Sequence, residues 1–483
     1  MRAPFVSTLH IAALAGLIAA ALAGCASAPP PRAAANAASA AEPEAAAASA
    51  TEAPAAMASA AMASAATASA ATPPAGTATA AADAAASAPA ASDSGAAAVA
   101  PGGADEAVPL ERRFADWVAQ FRTDAQAQGI ADATLSAALD DVHYLPRVVE
   151  LDRAQPEFTR SVWDYLDITV SPQRVTRGQA RLQQVRAPAD DAAARYGVPA
   201  TVLAAIWGIE SNFGELMGST STIDALATLG FDGRRAGWAR GELLAALKIL
   251  QSGDVDRAHM VGSWAGAMGH TQLLPSNVLL YAVDADGDGR RDIWTSAVDA
   301  LASTANFLAR AGWRSGEPWG TEVQLPAGFD VGRADGALRL SSAQWAADGV
   351  RTPDGSPLPA LDEGAILLPA GARGPAFLVG PNFRVIQRYN NSISYALAVS
   401  LLAQRLAGGP AVQGAWPRDL AALSRAQVVA MQSALNARGF DSGAPDGLPG
   451  PATRDALRRY QRSIGVAADG YPTLQLLQQL QGD

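Results

Sequence analysis

The residues from Val198 to Gly214, VPATVLAAIWGIESNFG, set one carboxyl into an apolar stretch. Pro199 suits the first turn of a helix and Gly214 its termination, while Val202, Leu203, Ile206, Trp207 and Ile209 supply the apolar positions. Glu210 follows Ile206 by four and Trp207 by three, so its carboxyl lies on or beside the buried stripe. There it loses hydration and its pKa rises. A carboxyl that stays protonated near neutral pH is what a general acid requires. The competing reading is a helix-end carboxylate satisfied by a nearby donor, because structural pairs perturb carboxylates too.

A second cluster, DADGDGRRD at 284 to 292, places Asp284, Asp286 and Asp288 at positions 1, 3 and 5 of a hard-oxygen loop, with Gly289 at the sharp turn. This is the start of an EF-hand-type loop, to which Arg290 would give its backbone carbonyl and Asp292 a ligand, direct or through water. Position 12 is Thr295, so the usual bidentate Glu is missing. The two readings are a structural Ca²⁺ site and an exposed acidic turn. No cofactor is expected for chemistry, since the four histidines, at 10, 143, 259 and 270, lack HExxH-type spacing. The single cysteine, Cys25, closes Leu22-Ala23-Gly24-Cys25 after a short apolar run from Ile11, which reads as a secretory h-region. That tetrapeptide resembles the lipobox of bacterial lipoproteins, and a lipidated Cys25 would anchor the chain to a membrane. The alternative is an ordinary signal peptide with an incidental cysteine.

Four ordered blocks widen the view: WGIESNFG, then STIDALATLGFDGRRAGWARGELLAALKIL, then SWAGAMGHTQLLPSN, then NFRVIQRYNNSISYA. Together, over about 109 to 406, they resemble the membrane-bound lytic murein transglycosylase B family. The resemblance implies a lysozyme-like fold acting on peptidoglycan glycan strands, with Glu210 as the single acid. It also implies that Ser263, Gln272, Tyr389, Asn390 and Tyr395 line the sugar cleft, and that Asp299, from the following helix, completes the acidic loop. Read alone, Ser263 and Gln272 serve equally as turn caps, Tyr389 as half-buried core and Asn390 as a turn residue. Leu273 and Leu274 stand where the family usually has Phe and Met, Phe307 where it often has Tyr, and His270 at a variable position. Those departures bear on sugar contacts and leave the acid intact.

Ordinary glycosidases use two carboxylates, and none accompanies Glu210 in its motif. The family implies a one-carboxylate route that cleaves the MurNAc-GlcNAc β-1,4 bond without water and leaves a 1,6-anhydromuramyl end. A hydrolytic muramidase and a non-catalytic tether of membrane to wall are the rival readings.

The elements that must position these groups follow from composition and period. Residues 1–25 read as a lipoprotein signal and 26–108 as a disordered Ala/Pro/Ser-rich spacer with too few large apolar side chains to fold. Order begins near Pro109, where Phe114, Trp117, Val118 and Phe121 share one helix face. Helical patterns punctuated by Pro146, Pro156, Pro172 and Pro188 run to about Leu250. Short alternating runs between Trp319 and Val379 predict a small β-rich insertion, and helix returns at 392 to 406. The predicted class is mainly α (α+β), with a catalytic domain at 109–408. A Gly- and Pro-rich linker then leads to a three-helix module at 418–483, near the lower size limit for unaided folding. That module resembles the small peptidoglycan-binding domain through AQVVAMQSALNARGF, PDGLPGPATRDALRRYQRSIGV and ADGYPT. No longer internal repeat stands out. The net charge of −10 and lack of a basic stripe argue against a nucleic-acid partner. Ser27, two residues after Cys25 and in place of Asp, resembles lipoproteins sorted to the outer membrane, so with export the expectation is a periplasmic, lipid-anchored protein of a Gram-negative outer membrane; the residues name no protein partner.

Overall fold

The computed structural model describes residues 108–154, 160–232, 234–334 and 336–482. The signal segment, Cys25, Pro156 and the spacer up to residue 107 lie outside the described residues. Helices dominate as the apolar spacings predict, seventeen α-helices against five short strands among the described residues. α1 (Leu110–Ala127) buries Phe114 and Phe121, and Trp117 stacks on both rings. After α2 (Asp132–Leu139), prolines open α3 (Pro146–Ala154) and α5 (Pro172–Gln184), where a missing N–H costs nothing. Between them lies the short α4 (Val162–Thr169); α6 (Arg186–Tyr196) then leads through a left-handed Gly197 to α7 (Ala200–Ser211). α8 (Thr222–Phe231), α9 (Ala236–Ser252), α10 (Pro275–Tyr281) and α11 (Ala297–Arg310) complete the first half. A two-residue ladder joins β1 (Thr220–Ser221) to β2 (Val261–Gly262).

The predicted β insertion is a three-stranded antiparallel sheet in the order β3 (Gly320–Val323), β5 (Ala376–Val379), β4 (Ala365–Leu367). It also holds a short helix, α12 (Ser342–Ala347), whose fully buried Trp345 donates to the Gly364 carbonyl and centres a separate small core. α13 (Pro381–Tyr389) and α14 (Ile393–Leu406) close the catalytic body, and α15 (Arg425–Ala437), α16 (Pro451–Ser463) and α17 (Leu474–Gly482) form the C-terminal module around Met431, Leu435, Leu457 and Tyr460. Among the described residues no single helix is long and apolar enough to cross a membrane.

α7 is where the structure departs from an amphipathic reading. Every residue from Val202 to Ser211 is buried, because α5, α6, α11 and α14 surround the helix. A helix that is apolar all round belongs in a core. Its end also differs from expectation: the helix stops at Ser211, and Asn212, Phe213 and Gly214 all have positive φ, at 51°, 62° and 86°. Gly214 and Asn212 tolerate that region, whereas Phe213 pays for it in steric strain. Packing compensates. The Phe213 ring lies between glycines of two helices: a Cβ on Gly208 of α7 would approach it to 2.5 Å and one on Gly178 of α5 to 2.8 Å.

Gly208→Ala should therefore lower stability by about 1–3 kcal/mol through overpacking, although alanine is the better helix former by about 1 kcal/mol. Urea unfolding of the variant measures this, and a stabilised Gly208→Ala protein would refute the close contact.

Candidate active site

Glu210 occupies the last turn of α7 and has no exposed surface. Tyr395 donates its hydroxyl to Oε1 at 2.6 Å, while Oε2 has no hydrogen-bond partner among the described residues. Burial pushes the carboxyl up from 4.5 to about 8, against the Tyr395 hydrogen bond, which favours the ionised form. At neutral pH it is mostly protonated, the state proposed from the sequence. Among the described residues no other carboxylate perturbs it.

Tyrosines surround it. Ser392 caps α14 and accepts from the Tyr395 backbone N–H, which fixes the tyrosine in the first turn facing α7. Tyr389, at the end of α13, is buried and donates to the Thr271 carbonyl at 2.5 Å. Half-buried Tyr165 comes from α4. Burial first, and then the Glu210 charge, holds the ionisation of all three phenols above its ordinary value. They remain neutral hydrogen-bond donors. Tyr165 was not among the residues picked from the sequence: VWDYL carries only the marks of a core-facing helix, and no local spacing ties it to Glu210.

The loop from Ser263 to Leu274 is held from within. Ser263 Oγ accepts from the N–H groups of Ala265 and Ala267, so it caps a turn as its residue type allows. Gln272, at φ 52°, donates its amide nitrogen to the carbonyls of Met217 and Gly269. Asn390 is fully buried just past α13. Of the five expected cleft residues, Tyr395 touches Glu210 directly and Tyr389 senses its charge; Ser263 and Gln272 shape the loop.

His270 has a clear place in this loop. Its Nδ1 accepts from the Trp207 indole N–H at 3.0 Å, and its carbonyl accepts from Ser211 Oγ at 2.5 Å. Burial lowers its pKa, which preserves the neutral ring that this acceptor role needs. Thus the loop is clipped to the end of α7 beside the acid. Arg174 of α5 donates to the Gly208 carbonyl on the same helix. Of the departures expected to alter sugar contacts, Leu273 and Leu274 are buried, and Phe307 is buried between Tyr281 and Tyr389, with ring centroids 4.6 and 4.9 Å away.

In the acidic loop, Asp284, Asp286 and Asp299 each bring a carboxylate oxygen within 4.8 Å of the others. Asp299, fully buried at the start of α11, accepts from the N–H groups of Ala285, Asp286 and Asp292. Its pKa is raised by burial, with the Asp286 charge adding to the effect. Such concentrated anionic oxygen suits a hard divalent cation. Asp288 instead accepts from the Arg290 N–H, and Asp292 from the N–H groups of Trp294 and Thr295. These two and Arg290 lie in the loop without joining the three-carboxylate group.

Comparison with known proteins identifies the family of each domain. A family model described as a transglycosylase SLT domain matches residues 113–404, and one described as a putative peptidoglycan binding domain matches 424–480. The chain is 37% identical over 245 residues to a membrane-bound lytic murein transglycosylase B of Escherichia coli (strain K12), an alignment spanning 49% of this chain and 65% of that relative's length. Among solved structures, SltB3 from Pseudomonas aeruginosa in complex with NAG-anhNAM-pentapeptide is 52% identical, with a TM-score of 0.74, covering 76% of this chain and 99% of that one. The Escherichia coli lytic transglycosylase Slt35 in complex with calcium is 32% identical, with a TM-score of 0.52, covering 60% of this chain and 92% of that one.

The buried acid has a thermodynamic signature. In the unfolded chain Glu210 titrates near 4.5 and in the folded chain near 8, so between those pH values unfolding releases a proton. Its contribution is fully present below pH 4.5 and is lost as pH rises through 8. At about 1.4 kcal/mol per unit, Glu210→Gln should be more stable than the parent by on the order of 4 kcal/mol at pH 8, with the difference vanishing below pH 4. Urea unfolding across this range reads the effect, and a difference independent of pH would rule out a buried neutral carboxyl.

Proposed function

Because the chain belongs to the transglycosylase SLT family, we propose that it is a lytic murein transglycosylase in which Glu210 alone serves first as acid and then as base. The observation that carries this reading is the isolated carboxyl itself, neutral near pH 7, held on one oxygen by Tyr395 and unpartnered on the other. Protonated Glu210 donates its proton to the oxygen that links N-acetylmuramic acid to N-acetylglucosamine, and the C1–O bond breaks as that oxygen leaves as a hydroxyl. The substrate's acetamido oxygen shields C1 meanwhile. Glu210, now a carboxylate, takes the proton from the muramyl C6 hydroxyl, and O6 closes on C1 to give a 1,6-anhydro ring. No water is consumed, and the acid returns to its starting state. An internal nucleophile of this kind has an effective molarity of about 10⁵ M or more when well oriented.

Since Glu210 has no exposed surface, its cover must shift when a glycan enters. Anhydromuramyl chemistry is supported by the relative seen with NAG-anhNAM-pentapeptide. Ser263, Gln272, Tyr389, Asn390 and Tyr395 are the residues proposed to shape the sugar subsites. The C-terminal module raises the local concentration of glycan by holding the wall, and Cys25 supplies a lipid anchor in the envelope, at the periplasmic face of the outer membrane.

The acidic loop is proposed to hold Ca²⁺ through Asp284, Asp286 and Asp299, with Asp288, Asp292 and the Arg290 carbonyl available around it. The ion would tie the loop to α11 and take no part in the chemistry. Slt35, seen with calcium, supports this assignment.

Digestion of purified sacculi tests the reaction. The parent should release muropeptides one water lighter than those with reducing ends, and Glu210→Gln should lose about 10²–10⁴-fold in rate while still pelleting with sacculi. Reducing ends would make it a hydrolytic muramidase, and wall binding without cleavage by the parent would make it a tether. For the loop, Ca²⁺ at about a hundred times Kd should add about 3 kcal/mol of stability. Asp299→Asn should erase that gain in thermal unfolding; equal Ca²⁺ responses from parent and variant would exclude the site.

A further inference from the structure

α4 is only eight residues long, too short to hold its shape alone, and its sides meet different partners. Inward, it packs on α14, the helix that brings Tyr395 to Glu210. Outward, it is gripped by the chain leaving the catalytic body. Trp416 lies against Trp163 of α4 and against Phe377 of β5, each with a centroid separation of 6.4 Å. Arg418 donates to both carboxylate oxygens of Asp167 on α4, at 2.6 and 2.9 Å. Upstream, the N–H groups of Gln413 and Gly414 bind the Glu322 carboxylate of β3. The Gly- and Pro-rich linker is thus a strap laid across the β insertion and α4.

The module secures the far end of that strap. It contains the same clasp twice, a buried glutamine that donates to an aspartate and accepts from the next glycine N–H: Gln432 with Asp446 and Gly447, and Gln461 with Asp469 and Gly470. The first aspartate is exposed. The second uses its other oxygen to accept from the Ala372 N–H of the catalytic body at 2.9 Å, and neighbouring Tyr471 packs against the catalytic core. One clasp is committed to docking, while its twin faces solvent.

We propose that the strap and the docked module are positioning elements for the reacting cluster, with Trp416 and Arg418 holding α4 against α14, the helix that sets Tyr395 on Glu210. The inference rests on the reading of Glu210 as the catalytic acid. It makes the C-terminal module part of the site's rigidity as well as a wall anchor. A displacement of about 1 Å at such a cluster costs up to roughly 100-fold in rate.

The test uses the full chain and soluble, uncrosslinked glycan oligomers, with kcat and KM measured separately and sacculus pelleting in parallel. Trp416→Ala should lower kcat about tenfold or more, and Arg418→Asp a few-fold, with KM and pelleting unchanged. Should Trp416→Ala fail to fold, the exposed Arg418 carries the test: the exchange Asp167→Arg with Arg418→Asp should restore the kcat that Arg418→Asp loses. An active parent whose variants keep full kcat on soluble glycan overturns this inference alone. A parent that cleaves nothing overturns the enzymatic reading beneath it.

Discussion

Removing one carboxyl from water is the constraint that organises this protein. Glu210 can remain neutral near pH 7 only where no solvent and no cation stabilise its charge, and that requires the helix carrying it to be covered on every side. α5, α6, α11 and α14 provide the cover. The cost is a destabilised core at neutral and alkaline pH, of the kind tolerated where a group must hold a proton that its unfolded form would release.

Burial alone would leave the carboxyl pointing nowhere in particular, and three local devices aim it. The left-handed run from Asn212 to Gly214 ends α7 abruptly, and the Phe213 ring locks that end against Gly208 and Gly178. Ser211 and Trp207 clip the end to His270, fixing the loop that Tyr389 also grips through Thr271. Tyr395, held by its cap, binds one carboxyl oxygen and leaves the other for a reacting partner. Each device joins segments far apart in sequence, so the site is a property of the packed helices.

The same economy extends outward. The acidic loop ties its turn to buried Asp299 at the start of α11, one of the helices around α7. The strap ties the sheet, α4 and the C-terminal module into one load path. The repeated Gln–Asp–Gly clasp escaped the sequence because its two copies differ in loop length and share few side chains; hydrogen bonding reveals the equivalence.

By itself, the sequence determined what depends on local period and local chemistry: helices from apolar spacing, the β insertion from alternation and turns, the three-helix module, and Glu210 as a carboxyl in an apolar setting. It also presented Asp284 and Asp286 together, since they stand two apart on one turn. Tertiary structure decided what depends on distance through space. It enclosed α7 completely where a stripe was expected, brought Tyr165 of α4 toward the acid, turned Leu273, Leu274 and Phe307 into the core, and converted an apparent linker into a strap. Those outcomes arise from the packing of faces that no local pattern encodes, because a residue's partners across the core are chosen by the whole fold.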